Sequence, residues 1–205
     1  MKKIMFNPTT YHSDWITSNT QGLFLVNEKM NVRIWHYSIL DSDNSFLYDT
    51  IGIDERPGAC VIVMVNQDGN LGLIDQYRPI PDANFLSCIR GFNEKDMPSD
   101  NIVKSEILEE SGIKTIEGIQ RLGEINANTT YFVNPVTVYL VKVIANNAVL
   151  TGVNSASQEG VQSIRFFNNL EVIRMVADND IRCQMTLSAL MLYFANMPSN
   201  IISLT

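Results

Sequence analysis

The sequence predicts an α+β domain, a mixed β-sheet with helices packed on it. Three observations carry that expectation. Strand-like runs alternate with only a few helical ones along the chain, an order that lays helices against a sheet. Residues 59–65, Ala-Cys-Val-Ile-Val-Met-Val, are apolar without alternation, as a strand covered on both faces must be. A proline-to-glycine segment at residues 98–112 and two apolar-periodic segments, 170–177 and 186–196, supply the helices. With 205 residues, 45% of them hydrophobic, the chain can bury one sizeable core.

Taken in order, residues 1–20 are polar and aromatic, broken at Asn7-Pro8 and Ser18-Asn19. His12 and Trp15 read there as packing or surface residues. Residues 22–26 and 32–40 read as strands, the second carrying a structural His36, and Asp41 to Ser45 is a turn cluster. So small a strand-rich piece must pair with the main sheet or with a second subunit. After the apolar run at 59–65, Asn66-Gln-Asp-Gly69-Asn70 is a hairpin turn and residues 71–75 return. Residues 85–89 form a short apolar stretch leading to a glycine loop. Residues 119–125 and 136–144 read as strands, the latter rich in β-branched side chains. A polar loop at 126–135 joins them. A second polar loop, 146–160, holds a single acid, Glu159, and 162–167 reads as a last strand before the two C-terminal helices. No internal repeat or low-complexity linker interrupts this order.

Charge and cysteine usage narrow the function. A formal charge of −7 opposes a nucleic-acid surface, which needs a basic face. It leaves room for an anionic small substrate, because bound divalent cations can dominate a local field. Cys60, Cys88 and Cys183 are far apart in sequence and lack metal-ligand spacing, which fits buried thiols in a reducing compartment. The N-terminal residues lack the apolar run of a signal peptide, and no segment approaches the roughly 18 apolar residues of a membrane span. A cytoplasmic protein without membrane contact is expected.

The chemistry concentrates in residues 91–113. Gly91 opens a loop, Pro98 suits the first turn of a helix, and Gly112 suits the position after its last turn, where φ turns positive. Glu106, Glu109 and Glu110 fall on one arc of that helix. Ile102, Val103 and Ile107 overlap the same arc, whereas a solvated acidic face would lie opposite the apolar stripe. Three like charges on one arc repel, and a cation would relieve them; an ordinary soluble helix with some glutamates is the bland alternative.

This pattern resembles the signature of the Nudix hydrolases: Gly, five residues, Glu, seven residues, then Arg-Glu-apolar-x-Glu-Glu-x-Gly-apolar. Gly91, Glu106, Ile107, Glu109, Glu110, Gly112 and Ile113 match without a gap. Met97 stands where the family has its first glutamate, and Ser105 where it has arginine, so the box is degenerate. Arg56, Gln76-Tyr77-Arg78-Pro79 and Arg90-Gly91-Phe92-Asn93-Glu94 resemble the ADP-ribose pyrophosphatase branch. So do Leu122-Gly123-Glu124, Asn128-Thr129 and the run from Asp180 to Leu190. That branch often reads Glu-Leu-Pro before the last two residues leading into the box; here Ser87-Cys88-Ile89 precede Arg90-Gly91.

The resemblance implies a Nudix fold, a mixed sheet sandwiched by helices (α/β/α), over residues 56–205. Residues 1–55 become an N-terminal strand extension, part of a homodimer interface. It implies a divalent-metal-dependent hydrolase that splits the pyrophosphate of ADP-ribose or a related nucleoside diphosphate sugar into a nucleoside monophosphate and a sugar phosphate. Mg2+ or Mn2+ would be held by hard carboxylate oxygens. Glu106 and Glu110 would be the principal ligands, Glu109 a shared ligand that also serves catalysis, and the carbonyl of Arg90 a further donor. Glu159, on the late loop, would be the base or water-orienting residue. Arg56 and Arg78 would contact the nucleotide or its phosphates, as guanidinium groups do. The departures at Met97 and Ser105 leave a second reading, a catalytically weak or inactive relative that binds a nucleotide metabolite.

Overall fold

The computed structural model describes residues 9–10, 33–40, 46–54, 58–92, 99–132, 134–146, 150–151 and 160–197. The chain divides into two compact units, Met1–Pro57 with Asn126–Pro135, and Gly58–Ile125 with Val136–Thr205.

The first unit holds an antiparallel sheet in the order β1 (Thr9–Thr10), β2 (Arg33–Leu40), β3 (Phe46–Asp54). Pairing of β2 with β3 runs from Arg33 opposite Asp54 to Ile39 opposite Tyr48, with a register shift before Leu40. The Ile53 N–H donates to the Tyr131 carbonyl at 2.5 Å. β2 matches its sequence expectation. β3 was not legible, because Phe-Leu-Tyr-Asp-Thr-Ile-Gly-Ile-Asp interrupts its apolar positions with Asp, Thr and Gly. The strand expected at 22–26 lies outside the described residues.

The second unit is built on β4 (Cys60–Asn66), every residue of which is buried. Its alternate side chains enter two cores. Cys60, Ile62 and Met64 face a cluster with Ile102, Val103 and Ile107. Val61, Val63 and Val65 face another with Val172, Ala189, Leu190 and Tyr193. Those partners come from α1 (Ser99–Ser111) on one face and from α2 (Asn169–Ala177) and α3 (Gln184–Ala195) on the other. The unbroken apolar run is thus explained by helices on both sides, each fully buried branched side chain contributing roughly 1.5–3 kcal/mol.

Around β4 the sheet is mixed. β9 (Val136–Val143) pairs with it in parallel, Cys60 opposite Thr137 through Asn66 opposite Val143. β8 (Ile116–Ile125) adds antiparallel to β9. β5 (Leu71–Arg78) returns after a turn in which the Asn66 side-chain oxygen accepts from the Asp68 and Asn70 amides and Gly69 takes φ +80°. The hairpin then splays: β4 and β5 pair only at Met64–Gly72 and Val65–Leu71. The chain from 83 to 91 fills the gap. β6 (Ala83–Ser87) pairs with β5, and β7 (Ile89–Gly91) pairs with β4. β11 (Val161–Phe167) and the short β10 (Leu150–Thr151) continue beyond β5. Among the described residues no helix is long and apolar enough to cross a membrane.

Candidate functional site

The filled wedge decides what lies near what. β7 is a three-residue strand whose two faces meet different helices. Gly91 sits opposite Cys60, on the α1 face. A β-carbon at Gly91 would collide with the Cγ and the carboxylate group of Glu106. Glycine is therefore required so that the Glu106 side chain can lie directly against the strand backbone. Glu110, one turn on, is 2% exposed. Cys60 feels the charge of both carboxylates: burial, then Glu106, then Glu110, push its thiol up to about 12 against a hydrogen bond from Gly91. Two carboxylates thus converge beside the Cys60–Gly91 strand pair.

The helix that carries them ends as its sequence required, while Pro98, expected in its first turn, lies outside the described residues. Gly112 takes φ +70° and its N–H bonds the Leu108 carbonyl at 2.9 Å. Ser111 is buried and bridges the same end, its hydroxyl donating to the Ile107 carbonyl and accepting from the Ile113 amide at 3.1 Å. The arc of three glutamates divides. Glu110 is buried and Glu106 half-buried, but Glu109 is exposed. The Ser105 hydroxyl donates to the Glu109 carboxylate at 2.6 Å, so the residue that stands where the resemblance expects arginine engages the outermost acid. Among the described residues, no three Asp, Glu, His or Cys side chains form a cage for a metal ion.

On its other face β7 presents Arg90, opposite the core residue Val61. The Arg90 guanidinium reaches the Met185 sulfur of α3 at 3.5 Å. Beside it lies an open cavity of about 380 Å³, lined by Arg78, Pro79, Phe85, Ser87, Arg90 and Cys183 among others. The guanidinium of Arg182 lies 4.9 Å over the Phe85 ring. The rim turn is clipped by the Tyr77 hydroxyl, which donates to Asp82 at 2.6 Å. Two residues named in the sequence for other reasons belong here: Ser87, where the ADP-ribose branch has a glutamate, and Cys183, expected as a buried thiol but only half-buried. Ser87 is 1% exposed and its hydroxyl has no hydrogen-bond partner. Cys183 holds the N-cap position of α3. Burial alone would raise its pKa, but the Thr186 hydroxyl, the Thr186 amide, the Arg90 charge and the Met185 amide outweigh it and hold the thiol below its ordinary range. No capping hydrogen bond forms from the neutral thiol; the amides act on the thiolate. A cysteine before a helix is too common a pattern to mark a site.

Of the residues singled out in sequence, the fold brings Glu106 and Glu110 together on one face of β7, and Arg78 and Arg90 to one cavity. Glu109 stands apart at the surface. Arg56 and Glu159 lie outside the described residues. Next to Glu159 in sequence, the Gly160 carbonyl accepts from the Tyr77 N–H at 2.9 Å. At φ +80° a β-carbon on Gly160 would meet the Tyr77 carbonyl oxygen at 2.6 Å, so this position favours glycine.

No family model matches the chain, and no curated protein matches it. Solved structures do. One, the crystal structure of an ADP compounds hydrolase, matches over 95% of this chain and 92% of its own length, with a TM-score of 0.64 at 16% identity. At that identity the likeness is one of fold. Together with the open mixed sheet between α1 and the C-terminal helices, it makes this chain an α+β protein of the Nudix-like fold.

Proposed function

We propose that the protein hydrolyses the pyrophosphate bond of ADP-ribose or a related nucleoside diphosphate sugar, with Mg2+ or Mn2+ as cofactor. The observation that carries this reading is the packing of Glu106 against Gly91, with Glu110 buried beside it. A buried strand position without a side chain, filled instead by a carboxylate, is the arrangement expected where that carboxylate holds a cation. The donor set suits a hard divalent cation, since it consists of carboxylate oxygens with the Arg90 carbonyl next in the chain. When bound, the cation would offset the charge that builds on the diphosphate and favour ionisation of the attacking water.

The chain's own residues then have distinct tasks. Glu106 and Glu110 hold oxygen donors on a rigid helix, and the Gly91 approach fixes their distance from β7. Glu109 is the outer, shared acid. Glu159 is assigned the water-orienting role. Arg78 and Arg56 are assigned to the phosphates or the nucleotide. Residues 1–55 are assigned to a homodimer contact, and light scattering giving a monomer would remove that assignment.

A second reading is favoured by one bond. Ser105 occupies Glu109 at 2.6 Å where the box has an arginine, which would suit a weak enzyme or a nucleotide-binding relative. Incubation with ADP-ribose and a panel of nucleotide sugars, with and without Mg2+ or Mn2+, separates the two. Metal-dependent release of nucleoside monophosphate supports the hydrolase. Tight binding of ADP-ribose with no product over long incubation supports the binder.

A further inference from the structure

Two cysteines far apart in sequence meet at one hydroxyl. Cys88 lies between β6 and β7, where the chain leaves β5 for β4. Cys183 holds the N-cap position of α3, and Thr186 follows one turn into that helix, fully buried. The Thr186 hydroxyl oxygen accepts from the Cys88 amide at 3.1 Å. The same hydroxyl is the side-chain hydrogen-bond partner of both the Cys88 and the Cys183 thiols. One proton and two lone pairs suffice for those three bonds. The pair is asymmetric in access. Cys88 is 1% exposed and shut in the core beneath α3, whereas Cys183 is half-buried and lines the open cavity of about 380 Å³. A reagent in that cavity meets Cys183 first and reaches Cys88 only through it. Cys60, the third cysteine, is buried in the core on the opposite face of β4. An accessible thiol beside a sheltered one is the arrangement in which oxidation of the first is resolved by the second.

We propose that Cys183 and Cys88 form a reversible disulfide when a small hydroperoxide enters the cavity, Cys183 reacting first and Cys88 resolving it. The Cys183 sulfur attacks one peroxide oxygen. An S–O bond forms, the O–O bond breaks, and the far oxygen leaves as water or an alcohol with the thiol proton, so Cys183 becomes a sulfenic acid. The Cys88 sulfur then attacks the Cys183 sulfur. The S–S bond forms, the S–O bond breaks, and the hydroxyl leaves as water with the Cys88 proton. Two electrons pass from the two thiols to the hydroperoxide, and a dithiol or other thiol reductant reverses the step by exchange. The bond ties the entry of β7 to the first turn of α3. Cys88 precedes Arg90 and Gly91, so closure bears on the strand against which Glu106 lies. That regulatory consequence rests on the hydrolase reading; the disulfide does not.

The test reads mass, independently of turnover. Full-length protein is treated with hydrogen peroxide, its remaining thiols are alkylated in denaturant, and the products are followed by intact mass and non-reducing peptide mapping. A single Cys88–Cys183 linked peptide is expected to account for most of the oxidised protein, with Cys60 alkylated and both linked thiols restored by reductant. In Cys88→Ala the reaction should stop at the Cys183 sulfenic acid, captured by dimedone. Cys183 carried on to sulfinic or sulfonic acid while Cys88 stays alkylatable would overturn the proposal, as would a disulfide that joins two copies of the chain. Should Cys88→Ala fold poorly, mapping of the unmutated chain still decides. Metal-dependent hydrolysis lost on oxidation and regained on reduction would extend the proposal to regulation, and an inactive protein that still forms the bond would sink only the hydrolase reading.

Discussion

The two faces of β7 differ in kind. On one, Gly91 gives up its side chain so that Glu106 can lie on the backbone, with Glu110 buried alongside. On the other, Arg90 reaches α3 and shares an open cavity with Arg78, Ser87 and Cys183. Negative groups collect against α1, positive groups against α3, and a single strand separates them. Backbone alternation makes this possible, since neighbouring residues point to opposite faces. Three residues thereby serve two chemistries. The acidic face is tight, whereas the cationic face is open. A cation would suit the first and an anion the second.

Perturbing each face should produce distinct failures. The largest effect is expected from Gly91→Ala, whose methyl must displace Glu106 or the strand. Overpacking of this kind costs about 1–3 kcal/mol, and displaced ligands should lower kcat on the order of a hundredfold. Urea unfolding and steady-state kinetics on the same preparation would check both, and an unchanged kcat would dissociate Glu106 from the chemistry.

Next is Thr186→Val on the opposite face. Thr186 is fully buried, and its hydroxyl oxygen accepts from the Cys88 amide at 3.1 Å. Stranding that amide should cost about 1–3 kcal/mol and slow thiol labelling of Cys183, while leaving metal dependence as it was. A shift in metal dependence would mean that the two faces are coupled.

The third prediction concerns alkali. Burial first, then the charge of Cys183, pushes Cys88 up to about 12, as burial and Glu106 do for Cys60. Both folded values lie above the ordinary 9.0, so the stability they confer is complete below pH 9.0 and is lost as pH climbs toward about 12. Each thiol contributes a slope of roughly 1.4 kcal/mol per pH unit in that window. Denaturation midpoints across the window should fall less steeply in Cys88→Ala than in the parent, and parallel curves would refute the assignment.

The smallest effect is expected from Ser105→Ala. Removing an exposed hydrogen bond to Glu109 should change stability by only about 0.5–1.5 kcal/mol. If the Ser105 contact diverts Glu109 from a cation, the half-saturating metal concentration will fall; no change would place Glu109 outside the site.

Much of this arrangement could be read before folding, and the limits are instructive. The β4 run, the Asn66–Asn70 turn, the C-terminal end of α1 and the helix glutamates are set by local rules, and each lies where those rules put it. The split between Glu110 and Glu109 could not be read, because an arc of helix does not reveal where the neighbouring strand ends. The β6–β7 wedge appeared only as a short apolar stretch, since Cys88 breaks it into two pieces pairing with different partners. The cavity was invisible for the same reason: Arg78, Ser87, Arg90 and Cys183 come from four separate segments that only the splayed hairpin brings together.

The most direct measurement of the central claim is Mn2+ binding and ADP-ribose hydrolysis in the parent and in Glu110→Gln. Replacing one buried carboxylate by its isosteric amide leaves the packing intact. The account predicts that metal affinity drops and turnover falls on the order of a hundredfold or more, with the fold retained by circular dichroism. Hydrolysis and Mn2+ affinity both unchanged in Glu110→Gln would contradict it.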